Sequence, residues 1–190
     1  MRVLEIGCGA SPGPFIEGAT EHIVLDKDPQ ELVKAAAVVR REKLTQRLGD
    51  AACLEDPDDS FDLVLARNVL GDPSLGMSRS TAEMSDVLKM QCLRDGDMSA
   101  YREIVDEVHG AVNRLKDDIV TEAVRVLRPG GTFAVVEEYT PQVALNYITD
   151  AVSEERIRRL DRAEPEMVLP TNYFNHHRRY GRLDVWTATK

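Results

Sequence analysis

Acidic residues stand at or near the ends of short apolar runs in several places, and glycines lie close to some of them. The first is Val3-Leu4-Glu5-Ile6-Gly7-Cys8-Gly9, in which Glu5 sits almost alone among apolar neighbours. Gly7 and Gly9 let the backbone turn tightly and approach a ligand with no Cβ in the way. A carboxylate beside such a loop suits a cationic or polyol ligand better than a pyrophosphate, because it repels phosphate. The dinucleotide fingerprint would need a third glycine where Pro12 stands, and it has no acid two residues before its first glycine. Asp26 ends the run Ile23-Val24-Leu25, about twenty residues past the first glycine, where a carboxylate can take both hydroxyls of a ribose. Lys27 follows it, and Asp28-Pro29 next door supply helix-start chemistry, so Asp28 takes the cap and Asp26 the ribose.

The elements that must hold these residues can be read from apolar periodicity. Residues 2–6, 23–26, 44–48, 61–66 and 132–138 read as strands, and Phe61 to Ala66 is nearly continuous in the way of a strand covered on both faces. Open α/β sheets bind ligands outside the carboxyl ends of their strands, the end where these acids sit. Gln30 to Glu42 and Thr81 to Leu93 carry helical spacing. Pro14-Phe15-Ile16 is expected to begin a short helix with its amino end facing the ligand. From Met98 to Leu127 the spacing continues either as one helix through Gly110 or as two that meet there. Pro141 to about Ala163 reads as a further helix, and Met167 to Phe174 and Leu183 to Thr189 as two closing strands joined through His176-His177.

With 190 residues, 43% of them hydrophobic and 30% charged, the chain is expected to form a single domain over 1–190. No stretch is apolar enough to span a bilayer and no signal peptide is apparent, which sets the expectation of a cytoplasmic protein without membrane association. A net charge of −9 argues against a large nucleic-acid face. Arg156, Arg158, Arg159 and Arg162 with Arg178 and Arg179 are the one basic cluster that would reverse this. The three scattered cysteines suggest neither a disulfide framework nor a zinc site, and adjacent His176 and His177 point apart in extended chain, so no metal is expected.

The series Glu5-x-Gly7-x-Gly9, Asp26, Gly49-Asp50, Phe61 to Asn68 and Leu127-Arg128-Pro129-Gly130-Gly131 before a strand resembles the class I S-adenosylmethionine-dependent methyltransferases. Ser11 stands where many of them carry a third glycine. The resemblance covers the whole chain except an insert at about 71–116. It implies a doubly wound, mostly parallel seven-stranded sheet with helices on both faces, an antiparallel closing strand, and a helical insert after strand four. It implies S-adenosylmethionine as cofactor, leaving S-adenosylhomocysteine as product. It assigns the cofactor's ribose to Asp26, and its adenine to Asp50 with the backbone N–H of Ala51. Glu5, Gly7, Cys8, Gly9, Lys27, Arg67 and Asn68 complete the expected cofactor set.

The expected reaction is methyl transfer to a small-molecule or short-peptide acceptor by in-line displacement. Hydroxyl or protonated amine acceptors need a base, and Glu138 and Tyr139 are the catalytic candidates by their strand-end position, ahead of Asp72 and His109. Alternatives are a modifier of proteins or nucleic acids, a non-catalytic cofactor-binding relative, and a nicotinamide oxidoreductase. Strand one opens the chain, so a lid over the cofactor must come from the insert, another chain, or nowhere. The insert is expected to be a mobile cover or the surface of a homodimer.

Overall fold

The structure, a computed structural model, describes residues 1–70, 75, 79–139, 161–177 and 182–190. Five parallel strands form its centre: β1 (Arg2–Ile6), β2 (Glu21–Asp26), β3 (Thr45–Leu48), β4 (Phe61–Arg67) and β5 (Leu127–Tyr139). β7 (Arg182–Thr189) runs antiparallel to β5, and β6 (Asp161–Ala163) antiparallel to β7. The sheet has seven strands in the order β3-β2-β1-β4-β5-β7-β6, and its direction of winding reverses between β1 and β4.

Alternation along the strands divides the core in two, because successive side chains leave a strand on opposite faces. Leu4 and Ile6 of β1 point toward α3 (Met98–Val126), into a cluster with Phe61, Phe133, Ile119 and Ala123. Val3 points the other way, to Ile16, Leu65 and the aromatic pair Tyr173 and Phe174 of α5 (Thr171–His177). Each fully buried Leu, Ile or Phe stabilises the fold by about 1.5–3 kcal/mol. On that second face α1 (Pro29–Glu42) buries Leu32, Ala35 and Val39 at helical spacing. Asp28 caps α1 by accepting from the Gln30 N–H, Pro29 stands in its first turn, and left-handed Lys43 ends it.

α3 is one helix of 29 residues, so the long apolar spacing runs unbroken through Gly110. The glycine costs about 1 kcal/mol of helix propensity. That cost is outweighed by the packing of Ile119, Val120, Ala123 and Val126 against the sheet. α2 (Arg79–Asp95) folds back on α3 through left-handed Gly96 and the cap Asp97, whose side chain accepts from the Ala100 N–H at 3.0 Å. The carboxyl half of α3 therefore serves as the crossover from β4 to β5. Its amino half and α2 form a helical hairpin.

Four expectations need correction. Residues 12–16 carry no helix: Pro12 and Pro14 flank Gly13, and the segment is held instead by Asn172, whose amide donates to Phe15 O at 2.7 Å and accepts from the Glu17 N–H at 3.4 Å. Met167 to Phe174 is not a strand. It contains the end of α4 (Pro165–Val168), which begins at its proline, and the start of α5, which follows Pro170, and Leu169, Tyr173, Phe174 and His177 are buried at helical rather than alternating spacing. The closing strand is Asp161–Ala163, which was expected to end a helix, while residues 141–160 of that helix lie outside the described residues. β5 also starts earlier than expected, at Leu127, with the Pro129-Gly130-Gly131 stretch taken up where the pairing shifts between Phe61 and Leu63 of β4.

Candidate functional site

Parallel register brings the sequence-separated acids to one edge. Ile6 pairs with Leu25 and Ala66, and Ala66 with Val135, so Gly7, Asp26, Arg67 and Val136 form the next row at the carboxyl end. Asp26 pairs with Leu48, which places Gly49 and Asp50 just beyond. A cleft opens here between the strand ends and α3. Its polar rim is made by Asp26, Lys27, Asp50 and Asn68. Gly7, Gly49 and Ala51 contribute backbone, and Leu25, Val69, Leu75, Leu115 and Ile119 give it an apolar wall.

Two of these backbones are shaped in a way that side chains resist. Gly7 has φ +63°, and a Cβ there would lie 2.4 Å from Val69 Cγ2. Asn68 has φ 55°, a left-handed conformation that asparagine tolerates better than most residues, and its N–H donates to Val136 O at 2.9 Å. The turn at Asn68 ends β4 and swings Val69 under the glycine loop.

The two strand-end acids have different environments. Asp26 stays at the cleft, where Oδ2 accepts from the Gly9 N–H at 2.8 Å and Oδ1 from the Asp28 N–H at 2.9 Å. A carboxylate has about four lone-pair sites, so two remain for hydroxyl donors. Asp50 Oδ1 accepts from the Ala52 N–H at 2.9 Å, and its second oxygen is available to an amine. Glu5 leaves β1 on the opposite face from Ile6 and is fully buried beneath the loop. Both its oxygens accept from the Gly13 N–H, at 3.1 and 3.2 Å. His22 Nε2 lies 3.6 Å from one oxygen and Arg67 Nε 3.6 Å from the other. His22 Nδ1 accepts from the Ile16 N–H at 3.4 Å, which puts the imidazole proton on the nitrogen facing Glu5. Burial alone would raise the Glu5 carboxyl, but His22, the Arg67 charge and Gly13 outweigh it and hold it below the ordinary carboxylate range. Arg67 also donates to Ser11 O, so this buried group ties the glycine loop to the end of β4.

Cys8 is buried against α1, and its thiol is pushed up to about 12, first by burial and then by the Glu5 and Asp26 charges. It remains a neutral thiol at neutral pH.

Solved structures match over essentially the full chain, three of them as follows. Haemonchus contortus phosphoethanolamine N-methyltransferase 1, solved with phosphoethanolamine and S-adenosylhomocysteine, is 13% identical at a TM-score of 0.54, with 100% of this chain and 39% of that chain covered. The 4+2 cyclase SpnF is 16% identical at a TM-score of 0.51, with 100% and 75% covered. A chain from the complex of the Haloferax volcanii Trm112 methyltransferase activator with its candidate methyltransferase is 16% identical at 0.50, with 99% and 81% covered. This chain has the class I S-adenosylmethionine-dependent methyltransferase fold. No family model matches it, and neither does any curated protein sequence. The chain spans 44% of the length of the YcgJ protein from Bacillus subtilis, another structural match. A cyclase among the neighbours illustrates that this fold does not by itself name a reaction.

Within this methyltransferase fold, Gly7, Asp26, Lys27, Asp50, Ala51 and Asn68 of the expected set line one cleft. Glu5, Cys8 and Arg67 lie behind the loop, and Gly9 meets the cleft's acid through its N–H. Glu138 and Tyr139 lie in β5 beyond the last β4 pairing at Val136, at the same edge, and their side chains lie outside the described residues. Asp72, the His109 side chain and the basic cluster apart from Arg162 also lie outside them. The wall residues Leu25, Val69, Leu115 and Ile119 were not anticipated. Leu115 and Ile119, one helical turn apart in the apolar seam of α3, carried the available signal. No helix among the described residues is long and apolar enough to cross a membrane.

Proposed function

We propose that the chain binds S-adenosylmethionine in this cleft and transfers its methyl group to a small-molecule or short-peptide acceptor. The observation carrying the reading is that Asp26 and Asp50, held at their backbones' turns with lone pairs to spare, face one cleft over a glycine that admits close approach. In this reading Asp26 accepts from the ribose hydroxyls, and Asp50 with the Ala51 N–H holds the adenine edge. Leu115, Ile119 and Val69 cover the ring and exclude water. Asn68 stands near the cofactor's amino-acid end. Glu5, Cys8 and Arg67 act from behind, keeping the loop in shape. The cofactor, when bound, supplies an activated methyl on a sulfonium, and the protein contributes chiefly orientation. Glu138 and Tyr139 are the groups assigned to receive a proton from the acceptor.

A second reading is a methyltransferase of a protein or nucleic acid; the neighbour in complex with the Trm112 methyltransferase activator supports a protein partner in either reading. The acidic net charge of −9 favours the small-acceptor reading over a nucleic-acid one.

Calorimetric titration with S-adenosylhomocysteine tests the cofactor assignment. Asp26→Ala and Asp50→Ala, titrated as folded proteins, should weaken binding by about tenfold or more. Absence of binding to the wild-type protein would overturn the reading. Incubation of the wild type with labelled S-adenosylmethionine and size-separated cell extract then tests the acceptor. Label among small molecules supports the first reading, and label on macromolecules the second.

A further inference from the structure

The large apolar side chains of α2 are on its outside. The helix packs on α3 through a stripe of buried Ser85 with half-buried Lys89 and Cys92. The opposite face exposes Val87 by 64%, Met90 by 61% and Leu93 by 47%. A helix of a soluble domain ordinarily does the reverse, turning its apolar stripe to the core.

The exposed face is ordered about its centre. Around Met90, positions three residues away hold Val87 and Leu93, and positions four residues away hold Asp86 and Arg94. At helical spacing all five share one side. We propose that this face pairs with the same face of a second copy, with the two α2 helices antiparallel about a two-fold axis at Met90. In that register Met90 meets Met90 of the partner subunit. Val87 meets Leu93 of the partner subunit, and Asp86 meets Arg94 of the partner subunit, each contact occurring twice, as an isologous interface requires. Parallel pairing would instead set acid on acid and base on base.

The charges of the face also suit the pairing. Met84 and Leu88, though exposed, lie on another side of the helix from Met90 and are not part of it. Among the described residues Asp86 is held by Lys89 of its own helix alone, at 3.4 Å, and is 76% exposed at its side chain. It can therefore accept a second cation. One acid and one base make the five-residue patch neutral, so the chain's negative charge does not concentrate there. The inference does not depend on the methyltransferase reading.

Sedimentation equilibrium of the full chain, from low micromolar to several hundred micromolar, tests it. A dimer is expected. Met90→Asp should raise its dissociation constant by at least about tenfold while circular dichroism and the unfolding midpoint of dilute protein stay unchanged. Asp86→Arg and Arg94→Asp should each weaken the dimer by about tenfold, and the double variant should return to within about threefold of wild type. A wild type that stays monomeric throughout would overturn self-pairing. A dimer insensitive to Met90→Asp, or a double variant no tighter than the singles, would overturn it as well.

Discussion

The glycine loop with its buried support and the outer face of α2 handle polarity in opposite ways. Beneath the loop, a carboxylate, a guanidinium and an imidazole are taken out of water and matched to one another. On α2, large apolar side chains are left in water beside an exposed acid that only Lys89 of the same helix meets, at 3.4 Å, among the described residues. The first region completes itself within one chain. Its charges cost desolvation that only close mutual contact offsets. The second is complete only when something else covers it. One region is therefore built to hold a shape, and its residues should report on stability. The other is built to meet a surface, and its residues should report on association.

The sharpest way to break this contrast is at Glu5. Glu5→Ala leaves Arg67 and His22 without their shared carboxylate and should cost about 3–5 kcal/mol in urea unfolding. A loss near zero would mean that the buried group is not a unit. Gly7→Ala should cost about 1–3 kcal/mol, because the added methyl meets Val69 and the left-handed backbone disfavours it. It should also weaken cofactor binding, which calorimetry on the folded variant would show.

The pH dependence of Glu5 sharpens the same point. Its carboxyl is held lower in the folded protein than in the unfolded chain, so its stabilisation is present above the unfolded value of about 4.3 and is lost as pH falls through the lower folded value. The stability gap between wild type and Glu5→Gln should therefore be constant above about pH 5 and close in more acidic solution. A gap that widens on acidification would reverse the assigned sign.

Asn68→Gly separates conformation from contact at the β4 turn. Glycine accepts φ 55° without strain, so the backbone turn should be kept, and a loss of cofactor affinity in the folded variant would belong to the asparagine side chain and not to the turn. The smallest expected effect on stability is at Met90. Met90→Asp should change monomer stability by no more than about 0.5 kcal/mol, since its side chain is already in water. Thiol labelling gives a companion check. Exposed Cys53 should react readily in the native protein, whereas Cys8, buried and pushed up to about 12, should react only on unfolding.

Much of this architecture was legible in the chain. The five parallel strands, α1 with its Asp28 cap, and the acids at strand ends follow from local periodicity, turn residues and spacing, which are properties of neighbouring residues. The errors lie where local signals conflict. Val168, Leu169, Tyr173 and Phe174 are apolar enough for a strand, but Pro165 and Pro170 start helices, and the burial of every third or fourth side chain follows from docking on the sheet. Residues 12–16 look able to start a helix, but their backbone groups are taken by Glu5, His22 and Asn172, the last far along the chain.

The sequence by itself determined that acids and glycines would gather at one sheet edge, because parallel strands in a right-handed crossover series leave all their carboxyl ends together. Tertiary structure alone decided how deep each acid would lie. Glu5 pairs with Val24, so Glu5 and Asp26 share one side of adjacent strands, yet Glu5 stands inside the edge beneath the loop beside His22 and Arg67, while Asp26 ends its strand and backbone N–H groups hold it at the cleft. It also decided that Leu115 and Ile119 wall the site and that α2 turns Met90 outward, since both depend on how a long helix sits against the sheet. Those choices depend on contacts between residues distant in the chain, which local spacing does not encode.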